Sequence, residues 1–503
     1  MAQGTVSHQV VIAGGGPTGM TLAAELKLAG IDVAIVERRV DPALVGARAG
    51  GLHARTLEIF DQRGIAERFV REGQKGQGIG FAGLHFDLSG FPSRYNFTLG
   101  LWQMHTERIL LAWVGELGVE IHRGVEVTGF TQDDTGVDVA LSDGRSLRAQ
   151  YLVGCDGGRS LVRKAAGIDF PGTDPTTSNI IAEVEMIDAP PLGMQRTAHG
   201  IHGFGRLDYE IVDGQIVYKD TGPIRVMVTE PTVGGPGEPT LAELSDILKT
   251  VCGTDYGVHS PGTITRFTDA ARQAATYRRG RVLVAGDAAH IHPPDGGQGL
   301  NTGVQDAVNL GWKLAQVLKG ISPDSLLDTY HAERHPVGAR VLRWTLAAVT
   351  LRRDDDRTRA LRDTMAELLG FEAPRNHLAA DLSELGIAYD LGAGHPLLGR
   401  RMPDLDIVAE NGPLLVYELL HDARPLLLNL GVPGALEIAG WSDRVRLVDA
   451  TYDGDWDLPA LGVVASPGAV LVRPDGYVAW VGDGTPAGLA EALEKWCGSP
   501  RQL

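Results

Sequence analysis

Three groups of residues have the types and spacing to bind a nucleotide cofactor and hold a reactive ring. The first is Gly14-Gly15-Gly16-Pro17-Thr18-Gly19, a G-x-G-x-x-G run, followed about 20 residues later by Glu37. Gly14 permits a tight turn, Gly16 lets backbone approach a pyrophosphate, and Gly19 lets a helix lie close to a strand. The helix start then aims N–H donors and a positive dipole end at the phosphates, and Glu37 accepts from ribose hydroxyls. The second group is Gly154-Cys155-Asp156-Gly157-Gly158-Arg159-Ser160. The third begins at Gly286-Asp287 and continues through Pro293-Pro294-Asp295-Gly296-Gly297-Gln298-Gly299-Leu300-Asn301. Asp287 can hold a polyol hydroxyl. Amides at the helix start that follows the Pro293–Gly299 loop can stabilise negative charge on a flat anionic ring.

The elements that must position these groups are legible around them. Gln9–Ala13 is a short apolar run suited to a buried parallel strand. A helical pattern follows from Met20 through Leu22, Ala23, Leu26 and Leu28 to Gly30, and then a second strand, Val33–Val36, ends at Glu37. Strand, glycine turn, helix, strand and acid together indicate dinucleotide binding rather than an ordinary βαβ turn, without separating NAD from FAD. Arg281–Ala285 is an apolar strand feeding Gly286-Asp287. From Asn301 the pattern is helical, with Val304, Val308, Leu310, Leu314, Val317 and Leu318 before Gly320.

The three motifs, in this order and at these distances, resemble those of the group A flavoprotein monooxygenases. These are FAD-dependent aromatic hydroxylases, and the likeness is to those acting on aromatic polyketides and to rifampicin monooxygenase-like enzymes. Arg55-Thr56-Leu57-Glu58, Gln103 before Thr106-Glu107, and Asp328-Thr329-Tyr330 with Glu333-Arg334 agree with it. The resemblance implies that FAD is held by Gly14, Gly16, Pro17, Thr18, Gly19, Glu37, Arg38, Arg48, Gln103, Asp156, Gly157, Arg159, Gly286, Asp287, Pro294, Gly297, Gly299, Leu300 and Asn301. For Asp156 and Arg159 a turn-closing ion pair is the competing reading. It also implies that NADPH or NADH reduces the flavin, that molecular oxygen adds to it, and that a flavin hydroperoxide hydroxylates an aromatic substrate. No second strand–glycine–helix–acid unit exists for the nicotinamide, consistent with a transient visit. The flavin carries the chemistry, so no catalytic side chain is required. His290 and His292 flank the flavin loop and are read as structural hydrogen-bonding residues, with no metal.

The fold class expected is α/β: a Rossmann-type FAD domain, an inserted mixed-sheet substrate domain and a C-terminal thioredoxin-like domain. The boundaries expected are 1–174 and 268–396 for the two parts of the FAD domain, 175–267 for the insert and 397–503 for the last domain. Asn179–Val184 and Ile224–Val228 read as strands of the insert, and Leu241–Val251 as its helix. Ala469–Val472 and Tyr477–Trp480 read as a hairpin around the turn Pro474-Asp475-Gly476. Substrate candidates are Phe81, Phe97, Arg225, Pro293 and Gly296, within a wider aromatic set that includes Tyr95, Trp102 and Tyr209. Any single one of these aromatics is better read as core, and Arg225 is equally read as an exposed strand arginine.

Composition narrows the partners. The 46 basic and 63 acidic residues leave a formal charge of −17, which argues against nucleic acid or an anionic membrane and for a small-molecule substrate. Cys155, Cys252 and Cys497 are widely separated, so neither a disulfide scaffold nor a thioredoxin redox pair is expected. With no basic leader or spanning run, the cytoplasm is the expected location, and a homodimer is compatible. Oxidative inactivation of an antibiotic, including Baeyer–Villiger oxygen insertion, is the alternative function. A flavin dehydrogenase or halogenase and a non-catalytic flavin-binding protein stand further off.

Overall fold

A computed structural model describes residues 6–42, 49–197, 200–212, 215–235, 237–353 and 355–501. The N-terminal sheet has a parallel core of β1 (Val6–Ala13), β2 (Val33–Glu37), β3 (Ser146–Gly154) and β4 (Val282–Val284), adjacent in the order β4-β3-β1-β2. Glu120–Arg123 extends it beyond β2 as a parallel edge strand. Val10, Val11, Ile12, Val33, Ala34 and Ile35 have no exposed surface, as parallel strands covered on both faces require. Helix α1 (Pro17–Leu28) joins β1 to β2. Since β4 enters only after the whole middle unit, this sheet is discontinuous in sequence.

The middle unit holds five strands adjacent in the order Gly193–Thr197, Gly200–Arg206, Ile224–Thr229, Ser178–Met186 and Val258–Thr268. Every pairing in this sheet is antiparallel, where the sequence reading expects a mixed sheet. The reason is the crossover: helix Leu241–Cys252 carries the chain past Ser178–Met186 to its far side. The two strands it connects run the same way without becoming neighbours. That helix begins with a Thr240–Glu243 capping box and lays Leu244, Leu248 and Val251 on Ile180, Ala182, Val184, Val226 and Val228. The alternate residues Ile181, Glu183, Arg225 and Met227 therefore face the other way and are half-buried.

The C-terminal unit contains parallel strands Leu426–Asn429 and Arg446–Thr451, an antiparallel hairpin of Ala469–Val472 and Val478–Gly482, and a helix Leu489–Cys497. All three cysteines are unpaired and Cys497 is buried, so this thioredoxin-like unit carries no redox pair. Its hairpin turn docks on the first unit. Arg63 donates to the Pro474 carbonyl (2.7 Å) and Arg55 to the Asp475 carbonyl (2.9 Å). A Cβ on Gly476, whose φ is +76°, would lie 2.4 Å from Gln62 Oε1.

Two long helices complete the frame, α2 (Gln298–Leu318) and α3 (Asp328–Leu351). α1 and α2 touch through glycines: a Cβ on Gly303 would lie 2.4 Å from Thr18 Oγ1, and one on Gly311 would lie 2.6 Å from Glu25 Cβ. Gly303→Ala is expected to destabilise the protein by about 1–3 kcal/mol through overpacking. Because Thr18 Oγ1 is the main obstacle, Thr18→Ala/Gly303→Ala should recover most of that loss in denaturant unfolding.

Candidate active site

The three glycine motifs leave the C-terminal ends of β1, β3 and β4, where open α/β sheets bind their ligands. They also touch each other. A Cβ on Gly14, at φ +106°, would sit 2.3 Å from the Cys155 carbonyl oxygen, joining the first motif to the second. Gly286, at φ +60°, comes equally close to Thr18, joining the third to the first: a Cβ there would meet Oγ1 at 2.6 Å. Arg163 spans the second and third, donating to Ala288 O at 2.9 Å and Gly158 O at 3.0 Å.

Two helix N-termini open from these loops. α1 starts after Gly16 and α2 after Gly297, at φ +69°, and no side chain caps either one. A Cβ on Gly16 or Gly157 would meet nothing within 4 Å, so both leave room for a ligand against the backbone. Asp287 is exposed, and its Oδ1 lies 3.9 Å from a Cβ position on half-buried Gly299. Uncapped helix ends, open glycine backbone and a nearby carboxylate fit a pyrophosphate, an anionic ring and a polyol. That donor set suits FAD.

Glu37 is buried at the end of β2. It accepts from Gly15 N–H (2.6 Å), Arg39 N–H (2.8 Å) and Arg39 Nε (3.2 Å). Arg39 also donates to Glu107 (2.9 Å), and the Gln103 amide donates to the same carboxylate (2.8 Å). Partial burial works against the Arg39 charge, but Glu107 and Glu37 outweigh it and hold the guanidinium above its ordinary value. The sequence reading named Arg38, which is exposed, passed over Arg39 and quoted Glu107 only as part of the motif, without a role. A signal was available: Glu107 stands four residues after Gln103 on helix Gln103–Glu116, hence on the same face. Arg48 lies outside the described residues.

Asp156 caps the short helix Leu161–Ala165, accepting from Leu161 N–H (2.7 Å), Val162 N–H (3.1 Å) and Ser160 Oγ (2.5 Å). Arg159 is exposed and points to Glu238 of the middle unit at 3.9 Å, so the turn is closed by capping rather than by an Asp156–Arg159 pair. In the third motif Pro293 is buried while Pro294 and Gly296 are exposed, and Gly297 and Leu300 are half-buried. Asn301 is wholly buried: it accepts from His53 N–H (2.8 Å) and donates to Gly297 O (2.8 Å) and Gly51 O (3.3 Å). Its side chain ties the loop before residue 54 to the start of α2. His290 bonds Asp306 at 2.7 Å and His292 bonds the Pro293 carbonyl at 2.8 Å, the structural roles expected of both.

The substrate candidates separate. Phe81 is buried edge-on to Trp344 (5.6 Å), in a core cluster with Ala348 and Leu351 of α3. Phe97 is also buried, with the Lys75 ammonium 4.8 Å from its ring centre. Arg225 is half-buried, with its guanidinium 4.8 Å from the ring centre of Trp102 and cross-strand Glu183 beside it. Burial lowers the Arg225 pKa, and Glu183 opposes that shift. Trp102 lies 3.2 Å from a Cβ position on Gly50 and 3.9 Å from one on Gly205, so it bridges the loop bound by Asn301 and the middle sheet.

A family model described as FAD binding domain matches residues 7–345, and one described as aromatic-ring hydroxylase, C-terminal, matches residues 395–500. The chain belongs to the FAD-binding aromatic-ring hydroxylases. It is 43% identical to a rifampicin monooxygenase of Streptomyces venezuelae over 94% of this chain and 95% of that one. It is 37% identical to a dialkyldecalin synthase of Streptomyces rugosporus, over 98% of this chain and 99% of that one. The solved structure of OxyS anhydrotetracycline hydroxylase from Streptomyces rimosus superposes with a TM-score of 0.88 at 41% identity, covering 99% of this chain and 100% of that chain. The protein is an FAD-dependent monooxygenase with NAD(P)H as reductant and oxygen as co-substrate.

In this hydroxylase a buried acid lies behind the start of α2. Glu384 accepts from Thr302 Oγ1 (2.9 Å) and Gln305 Nε2 (2.5 Å), and its carboxylate is 4.0 Å from His53 Nδ1. Burial pushes Glu384 up to about 7 against the pull of Thr302, Arg334 and Arg340, and pushes His53 down to about 4. A carboxyl with a raised folded pKa binds more protons folded than unfolded, so stability falls as pH rises from about 4.5 toward 7 and then levels off. Relative to the parent, Glu384→Gln is therefore expected to gain on the order of 1–3 kcal/mol between pH 5 and 7.5, measured by urea unfolding.

Proposed function

We propose that this monooxygenase hydroxylates a polycyclic aromatic substrate of polyketide type, bound between the flavin loops and the open face of the five-stranded sheet. The observation that carries this reading is the Trp102–Arg225 stack. It puts a flat aromatic surface and a cation beside Gly50-Gly51, the loop that Asn301 bonds at the start of α2. A fused-ring phenol or enol needs such a wall, together with a group to pair with its oxygen. The names of the rifampicin and anhydrotetracycline relatives support the same substrate class.

FAD, when bound, supplies the reaction with oxygen after reduction by NAD(P)H. The chain's own residues bind and orient it. In this reading Gly14, Gly16, Thr18 and Gly19 hold the pyrophosphate against the α1 N-terminus, and Glu37, set by Arg39 and Gly15, takes the ribose. Asp287 would take the ribityl chain, and the N–H groups of Gly299 and Leu300, in the first turn of α2, would be donors for the ring. Buried Pro293 would help to keep water from the ring. The proposal includes the division into residues 1–174 with 268–396, 175–267 and 397–503. It also includes a cytoplasmic monomer or homodimer acting without nucleic acid; no helix among the described residues is long and apolar enough to cross a membrane.

A second reading rests on the name of the dialkyldecalin synthase relative: a similar chain serving the synthesis of a dialkyldecalin product. Turnover under labelled oxygen separates the two. Hydroxylation is expected to place one labelled atom in the product with consumption of NAD(P)H, and an isomeric product without label would overturn it. Asp287→Ala should weaken FAD retention by about 10- to 100-fold, the loss of one hydrogen bond to a charged group, with the fold intact by circular dichroism.

A further inference from the structure

We propose that His8, Glu120 and His122 form a zinc site at the edge of the parallel sheet, with Asp32 orienting His8 and a water completing the coordination. One ligand atom from each of the three residues lies within 4.8 Å of the other two. Two of these residues come from buried or half-buried strand positions, and Glu120 is exposed above them. No cofactor residue is among them.

Two orphaned nitrogens point to a ligand. His8 Nδ1 is committed to Asp32 Oδ2 at 3.0 Å, which leaves Nε2 buried and without a hydrogen-bond partner. The His8 side chain is 95% buried, with 5% of its surface exposed, so bulk water does not satisfy that nitrogen. His122 Nε2 is likewise buried without a hydrogen bond, although Glu120 Oε1 lies 3.3 Å away. The two rings meet edge to face at 6.4 Å. Unpaired imidazole nitrogens cost free energy when buried, and a cation that accepts both lone pairs removes that cost.

The chemistry of the set favours zinc. Two imidazoles and one carboxylate are the ligand set of open tetrahedral zinc sites, which keep a fourth position for water. The His8–Asp32 bond is the carboxylate–histidine arrangement that fixes the ligating tautomer and raises its basicity. Bond lengths near 2.0–2.1 Å require ligand atoms about 3.3 Å apart. The three ligand atoms lie within 4.8 Å of one another, and Glu120 Oε1 and His122 Nε2 are 3.3 Å apart. The nearby cation Arg145 is balanced by Asp143, whose carboxylate its Nε meets at 2.6 Å. No sequence motif announced the site, because His8 and His122 lie on strands separated by most of the first unit.

The test uses untagged, FAD-loaded full-length protein stripped with chelator and titrated with zinc or cobalt. One equivalent of zinc by elemental analysis, tetrahedral ligand-field bands with cobalt, and a metal-dependent rise in Tm are expected. His122→Ala should abolish the cobalt bands. Asp32→Asn should weaken zinc binding by about 10- to 100-fold while leaving the three ligands in place. Glu120→Gln changes an exposed side chain, so its FAD content should match the parent while its zinc affinity falls at least about tenfold. No saturable binding, or equal zinc binding by the parent, His122→Ala and Glu120→Gln proteins, would overturn the site.

Discussion

Asp306 has no exposed surface, and its carboxylate is shared by three donors: Gly286 N–H at 3.1 Å, His290 Nε2 at 2.7 Å and Arg334 Nε at 2.7 Å. Burial alone would raise its pKa. Arg334 and His290 reverse that and keep it ionised. Around this one charge the third motif, α2 and α3 are assembled, since Gly286 and His290 bracket Asp287, Asp306 lies on α2 and Arg334 on α3. Arg334 also donates to Thr302 O at 3.2 Å, beside the helix start. Removing either member of such a buried pair leaves an uncompensated charge, which costs several kcal/mol. The position of Asp287 and of the α2 N-terminus thus depends on an ion pair that never meets solvent.

The same device fastens the C-terminal unit. Arg473 pairs with Glu333 (2.7 Å) and Asp475 (2.6 Å), and Lys313 joins Glu333 at 2.9 Å, all of them buried. Arg63 forms a second buried pair with Glu25 of α1 at 2.7 Å, while donating to carbonyls of Leu420 and Pro474. Every donor in these clusters finds an acceptor of fixed geometry, the condition under which buried charges are tolerated. The C-terminal unit therefore reaches the helices of the cofactor site through a specific polar lock, with no redox chemistry of its own.

The middle sheet divides its two faces by residue alternation. One face is covered by its helix, and the other carries Arg225 to Trp102. Of the aromatics singled out as candidates, Phe81 and Phe97 are core: Phe81 lies in the hairpin of Gly78–Phe81 with Leu84–Asp87, and Phe97 directly precedes the strand Thr98–Gly100. Trp102 sits at a junction: it immediately precedes helix Gln103–Glu116, so its ring projects between Gly50 and the sheet.

What the sequence determined by itself was local and chemical. Glycine spacing, apolar strands and the acid at position 37 dictated a dinucleotide fold, since only glycine permits those turns and approaches. The hairpin around Pro474-Asp475-Gly476 and the helix from Leu241 were legible for similar reasons: turn residues and caps act within a few positions. Only the tertiary structure decided what non-local partners control. It made Arg39 the partner of Glu37 and Glu107, turned Asp156 into a helix cap, and gave the 474–476 turn a docking role. It also paired the middle sheet antiparallel throughout. Each of these depends on groups far apart in the chain, and on burial that strengthens some pairings and forbids leaving others unmade, which residue spacing does not encode.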